Sequence, residues 1–255
     1  MESYLEHLIT QSVAFSLMAV GLVAFLESLA LVGLLLPGTV MMASLGALIG
    51  SGRVNFYEAW VVGIIGCFAG DWISYYIGHR FKGPLHRWSF LKKHKSLMSK
   101  TSHALHKHSF ATVLVGRFIG PTRPLVPLVA GMLDLKPLTF AVPNVVGCLT
   151  WPPVYFLPGI LAGVAIGIPA GADVAHFRWL LLAAFVLVWL AAWLGWRWFR
   201  EGKRSQDWLS RRLPPARLRW VCGLATIAAI VCLVMLFRHP LMPVYRHLLW
   251  QVMAF

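Results

Sequence analysis

Acidic residues are scarce in this chain, which holds nine Asp and Glu against 23 Lys and Arg. Charged residues of either sign make up only 13% of the sequence, while 58% is hydrophobic and the mean hydropathy is +0.70. That balance excludes a soluble fold, because one small core cannot hide so much apolar surface and lipid must solvate the rest. Cysteine is sparse too. Cys67, Cys148, Cys222 and Cys232 lie in apolar runs without CxxC spacing, which argues against a disulfide framework or a zinc module and reads as small buried hydrophobes. The first ten residues carry two glutamates and no Lys or Arg, so a signal-peptide n-region is missing and the first apolar segment is expected to remain in the mature protein.

What charge there is falls in two places. Sixteen of the 23 basic residues lie in His79 to Lys107 and Arg197 to Arg219, and the first stretch contains no Asp or Glu. A net charge of +14 would suggest nucleic acid in a soluble protein. Gathered between apolar segments, the same charge has the profile of cytoplasmic loops facing anionic lipid, and no nucleic-acid partner is expected. His94, His103, His106 and His108 sit among these lysines; no metal site is expected there, and the segment reads as an amphipathic helix lying on lipid.

Four segments are long and clean enough to cross a bilayer: Glu58 to Gly78, Leu138 to Ala165, Trp179 to Trp196 and Trp220 to Phe237. Two further apolar stretches are interrupted. Ser28 to Gly52 contains Pro37-Gly38, and Phe110 to Leu133 contains Gly120-Pro121, Pro124 and Pro127, so each is expected to be a re-entrant broken helix. Setting Ile65-Gly66-Cys67 against Val146-Gly147-Cys148 makes each unit a Pro-broken segment, a Gly (Gly50 or Gly131) and a spanning helix. The first spanning helix ends at the basic loop and the second starts from it, so the two units are inverted. The expected fold is an all-α polytopic integral membrane protein, an inverted repeat with two re-entrant broken-helix hairpins plus spanning helices. Its expected divisions are an N-terminal helix or interfacial segment over 1–19 and a transporter core over 20–165. The core holds repeats 20–78 and 110–165, joined by the basic linker 79–109. Two further spanning helices fill 166–255, with a basic cytoplasmic loop over 197–219 and an interfacial tail.

Ionisable groups inside these apolar segments carry the chemical signal, since burying a charge in lipid costs several kcal/mol unless it is paired or neutralised. Glu27 is the one Asp, Glu, Lys or Arg between His7 and Gly52. It reads either as a proton-titrating or ion-pairing group, or as a residue snorkelling to the interface. Asp71 borders a stripe of small residues, Ala59, Gly63, Gly66, Gly70 and Ser74, suited to close helix packing, with Tyr75 placed to share its hydrogen bonds. Its alternative is a helix-end residue near Arg80 in the headgroup zone. Arg117 and Arg123 flank Gly120-Pro121 in a segment without acidic residues. Two guanidinium forks on a broken helix suit a phosphate headgroup, and structural salt bridges to Glu27 and Asp71 are the competing reading.

These residues resemble the DedA family of bacterial inner-membrane proteins, related to the eukaryotic VTT-domain lipid scramblases. The resemblance rests on Phe25-Leu26-Glu27, Pro37-Gly38, Gly70-Asp71 with Tyr75 and Gly78, Gly116-Arg117-Phe118 with Arg123, Pro127 with Ala130-Gly131, and Asn144 with Gly147. It covers about Val20 to Gly163. It implies two facing re-entrant hairpins in a multi-pass protein of the bacterial inner membrane, shaped by Pro37, Gly38, Gly120 and Pro121. It also implies movement of polyprenyl phosphate, such as undecaprenyl phosphate, or of other phospholipids between leaflets. The residues it ties to function are Glu27, Arg117 and Arg123. One departure is Thr39, where many members carry Asp or Glu, and this puts a two-carboxylate proton-coupled mechanism in doubt.

The expected function is therefore a lipid transporter in which Arg117 and Arg123 hold a phosphate headgroup and Glu27 and Asp71 supply counter-charge or a proton. The expected partners are that lipid and the surrounding membrane lipids, with no cofactor. A lipid-phosphate enzyme is the alternative class, but the chain lacks the PSGH motif and any candidate phosphohistidine nucleophile, so no catalytic residue is expected. A non-transporting assembly factor is the third class.

Overall fold

A computed structural model describes residues 2–30, 32–82, 95–118, 123–168, 171–201 and 215–254, all helices and connecting turns. The chain divides into two compact units, Met1–Val164 with Leu249–Phe255, and Ala165–Leu248.

In the first unit, α1 (Glu2–Ser28) runs unbroken through residue 19 and stops at Ser28; α2 (Gly38–Gly50) and α3 (Phe56–Arg80) follow. After the basic stretch come α4 (Lys95–Lys107), α5 (Ser109–Gly116), α6 (Leu125–Met132) and α7 (Pro137–Gly167). A helix rising 1.5 Å per residue needs about 20 residues to cross a hydrocarbon core of roughly 30 Å. The 25 residues of α3 and 31 of α7 reach that far, whereas α2 with 13, α5 with 8 and α6 with 8 do not. The two Pro-Gly-containing stretches are therefore split into short limbs, with one break in the turns of residues 29–37 and the other between α5 and α6. Gly120 and Pro121, expected to shape the second break, lie outside the described residues.

Breaking a helix inside lipid frees backbone groups that need partners. At the first break, Ala30 N–H donates to Ser74 Oγ (2.8 Å), and that hydroxyl is shared between the carbonyls of Ser28 (3.1 Å) and Gly70 (2.7 Å). Along α7, Pro153 has no N–H to offer Leu149, and Trp60 Nε1 donates to that free carbonyl instead at 2.8 Å.

Both inner limbs end alike. Gly52 adopts φ +74° after α2 while Arg53 N–H donates to Leu48 O, and Asp134 adopts φ +53° after α6 while Leu135 N–H donates to Ala130 O. These are Schellman caps, which need a left-handed residue; Gly takes that conformation freely, and Asp is among the few side chains that tolerate it. Asp134 is held there by Lys82 Nζ (2.5 Å) and His79 Nδ1 (2.8 Å) from the end of α3. A spanning helix starts after each cap, and Asn55 caps α3 by accepting from Tyr57 N–H and Glu58 N–H.

The limbs exchange partners between repeats. A methyl group on Gly131 of α6 would overlap the Tyr75 carbonyl of α3, and one on Gly78 would overlap Leu128 O of α6. In the other repeat, a methyl on Gly50 of α2 would meet Ile160 O of α7, and one on Gly159 would meet Ala43 O of α2. Gly50 and Gly131, like Gly78 and Gly159, are related by the offset that aligns Cys67 with Cys148. Each inner limb thus crosses the spanning helix of the opposite repeat at backbone-contact distance, the small-residue packing that substitutes for a hydrophobic driving force in lipid. The two breaks also touch: Ala30 and Leu34 pack on Leu125, Leu128 and Met132.

The small-residue stripe on α3 meets α1, with Gly66 against the Gly21 carbonyl and Gly70 against Phe25 O and Ser28. The amphipathic α4 differs from a helix simply lying on lipid. Its Leu105 is buried with Tyr75, Val113, Val126, Val129 and Phe140, so its apolar side docks on the second hairpin. His103, His106 and His108 are exposed, and His94 lies outside the described residues.

Beyond α7 come α8 (Ala172–Glu201), α9 (Pro215–Arg238) and α10 (Met242–Ala254), of which the second unit takes the residues up to Leu248, with spanning stretches Asp173–Gly195 and Arg219–Arg238. Leu194 packs on Ala225, and Tyr245 of α10 is buried against Phe177 of α8. Arg178 donates to the carbonyls of Ala165, Ile166 and Ile168, satisfying groups left open where α7 ends.

Candidate functional site

Where the two breaks meet, the first unit buries all four ionisable residues that the sequence singles out. Glu27 is 7% exposed, Asp71 1%, Arg117 3% and Arg123 3%. Arg117 is the cap residue closing α5 and Arg123 immediately precedes the cap of α6, so one guanidinium comes from each side of the second break. Glu27 is in the last turn of α1 and Asp71 in the middle of α3. The repeats contribute asymmetrically, with both carboxylates from the first and both arginines from the second.

Two ion pairs result. Arg123 Nη1 lies 2.5 Å from Glu27 Oε1, and Arg117 Nη2 pairs with Asp71 Oδ2. Arg117 Nη2 also donates to Asn144 Oδ1, and its Nη1 to Cys67 Sγ at 2.8 Å. Arg123 Nη2 donates to Ser28 Oγ at 3.2 Å and, more distantly, to Cys67 Sγ at 3.8 Å. The Arg123 guanidinium lies over Trp151, its Cζ 3.4 Å from the ring centroid, with the Tyr155 ring at 6.0 Å. A desolvated guanidinium over an indole face gains on the order of 2 kcal/mol.

Glycines make room for these groups. The Glu27 carboxyl occupies the space that a side chain on Gly38 would need, placing it beside the N-terminus of α2, where unpaired N–H groups favour negative charge. Pro37 is the cap residue of that helix. The stem of Arg117 likewise fills the space beside Gly147.

Hydrogen bonding in the cluster is incomplete on the donor side. Among the described residues, Arg117 Nε, Arg123 Nε, Asn144 Nδ2 and Trp151 Nε1 are buried without an acceptor, and Glu27 Oε2 without a donor. Buried polar groups are normally satisfied, so four open donors against one open acceptor mark a place that an acceptor-rich group would complete.

Set against the sequence expectations, Asp71 is buried within α3, nine residues before Arg80, rather than at a helix end, and the ion pairs named as the competing reading for the arginines are present. Tyr75 does not share the hydrogen bonds of Asp71: its hydroxyl donates to Leu135 O, because one turn along α3 brings it level with the cap that ends α6. Sequence reasoning missed Ser28, Cys67, Cys148 and Trp151 as parts of the cluster. The cysteines did carry a signal, since they anchor the repeat alignment; Ser28 and Trp151 carry none that spacing could reveal.

Comparison with known proteins agrees with this architecture. Residues 36–161 match the VTT domain family, and residues 170–255 match the C-terminal domain of inner membrane protein YabI. The chain is 63% identical over 254 residues to inner membrane protein YabI of Escherichia coli K12, covering 100% of both chains. It is 48% identical to an uncharacterized membrane protein of Buchnera aphidicola subsp. Acyrthosiphon pisum, covering 97% of each. It is 30% identical over 145 residues to inner membrane protein YqjA of Escherichia coli K12, covering 55% of this chain and 64% of that one. No solved structure matches the chain. With two broken-helix limbs crossed between repeats, a buried arginine pair at their meeting point and these relatives, the chain belongs to the DedA family of multi-pass bacterial inner-membrane proteins.

Proposed function

We propose that this protein moves a phosphate-bearing lipid, a polyprenyl phosphate such as undecaprenyl phosphate or a phospholipid, between the leaflets of the inner membrane. The observation that carries the reading is the pair of buried guanidiniums, one on each side of a helix break, with hydrogen-bond donors left open around them. A phosphate accepts several hydrogen bonds and matches the planar fork of Arg. Glu27 and Asp71 hold the arginines while the site is empty of headgroup and release them when phosphate takes their place. The freed carboxylates are then uncompensated in a dry site and take up protons, which couples transport to protonation. No covalent step is needed, and the protein acts as a transporter rather than an enzyme.

A static arrangement is the second reading, favoured by the ion pairs themselves: the four residues would only fasten the hairpins together. Leaflet-resolved transport of polyprenyl phosphate and phospholipids in proteoliposomes separates the two. Arg117→Lys with Arg123→Lys keeps both charges but loses the forks, and lost charge-assisted hydrogen bonds of about 1.5–3 kcal/mol correspond to a loss of transport of roughly tenfold or more. Full transport by a well-inserted double variant would refute phosphate recognition by the arginines.

A further inference from the structure

The sulfurs of Cys67 and Cys148 have no part in the transport scheme, yet they occupy its centre. Among the described residues, the ligand atoms of Cys67, Asp71 and Cys148 form a trio within 4.8 Å of one another, all buried. We propose that this trio binds a thiophilic divalent cation of the zinc or cadmium type, at a site between α3 and α7.

Three observations support it. First, the two cysteines are equivalent positions of the inverted repeat, so the symmetry that builds the core also sets the sulfurs against each other. Ligand atoms around a tetrahedral zinc with bonds of about 2.0–2.3 Å lie roughly 3.3–3.8 Å apart, so an adjustment of about 1 Å closes the trio on a metal. Second, Cys67 Sγ is surrounded by donors, Arg117 Nη1 at 2.8 Å, Ser28 Oγ at 3.3 Å and Arg123 Nη2 at 3.8 Å. Metal-bound thiolates and carboxylates are oriented by outer hydrogen bonds of this kind, and Arg117 also donates to Asp71. Third, the charge balances. Binding releases the two thiol protons to solvent as the divalent cation enters, forming two sulfur–metal bonds, so the net charge of the buried cluster is unchanged and Arg117 still offsets the carboxylate. The fourth position stays open for water or an anion.

The test uses full-length protein with Cys222→Ser and Cys232→Ser, which keeps every residue of the trio, purified in detergent with a thiol-free reductant. Cadmium is titrated and the sulfur-to-cadmium charge-transfer absorption recorded together with the melting temperature. The expected result is a band that saturates at equimolar cadmium with a rise in Tm, since a ligand bound by the folded state stabilises it. Further replacement by Cys67→Ser and Cys148→Ser should abolish the band. No band in the protein that retains Cys67 and Cys148, or an undiminished band after their replacement, overturns the proposal. Neither outcome depends on whether the protein moves lipid.

Discussion

Glu27 has one carboxylate oxygen against Arg123 and the other without a hydrogen-bond donor among the described residues, so its two faces are unequal. If its partner leaves for a phosphate, only the N-terminus of α2 beside Gly38 is left to offset the charge, and a helix end offsets less than a full cation. In Glu27→Gln, after insertion and folding are verified, the pH dependence of transport should therefore shrink to the part carried by Asp71. A well-folded variant with the wild-type pH profile would sink the coupling role of Glu27. The sequence made the four ionisable groups legible because lipid makes each of them costly and therefore conspicuous. It could not make Trp151 legible, because an aromatic residue in a spanning helix looks the same whether it faces lipid or stacks on a guanidinium. The departure at Thr39 looks different once the pairing is known. Asp71, from α3, is the second carboxylate facing the arginines, so the chain holds two acids without one after Pro37-Gly38.

At the level of elements, the two hairpins could be read from their breakers, but their ends could not. Gly52 is a foreseeable left-handed cap; Asp134 is not, since its conformation depends on Lys82 and His79 arriving from a distant helix. The hydrogen bond from Lys82, reinforced by the charge of Lys82 and by the contact with His79, holds the Asp134 carboxyl below its ordinary range. A depressed carboxylate lends stability that is present above its unfolded value of about 3.9 and is lost as pH falls through the folded one. Asp134→Asn keeps a side chain that tolerates the left-handed region while removing the charge. Thermal melts in detergent should show a small loss at neutral pH, as expected for an exposed pair, and the difference from wild type should vanish at the acid end. A difference that persists or grows on acidification would contradict this account.

For the whole molecule, the basic stretches fix orientation and the inverted repeat follows from it. Ser51, at the end of the first hairpin, should be periplasmic, while Lys136, at the end of the second, and Ser99 on α4 should be cytoplasmic. All three are exposed, so single cysteines placed there can be labelled with an impermeant reagent from either side. Labelling of Ser51→Cys and Lys136→Cys from the same side would remove the inversion. The crossing of each inner limb onto the opposite repeat was out of reach of sequence reading, because periodicity reports which residues are small without saying which helix they approach.

That crossing has a kinetic side. The contacts of Gly131 with α3 and of Gly50 with α7 are counterparts under the pseudo-symmetry and both are tight in this structure, so a cycle in which the hairpins rock against the spanning helices has to loosen at least one of them. An added methyl group penalises the conformer in which its own contact is tight. Gly131→Ala and Gly50→Ala should consequently each shift the resting population away from the arrangement described here, by the differential cost of the clash, with about 1.4 kcal/mol being a tenfold change in the ratio. Reactivity of a cysteine at Thr39, probed from each face of the membrane, would register the shift as a change from the parent protein in each variant. Unchanged reactivity in both variants would mean that the crossings are fixed struts and that the moving parts lie elsewhere.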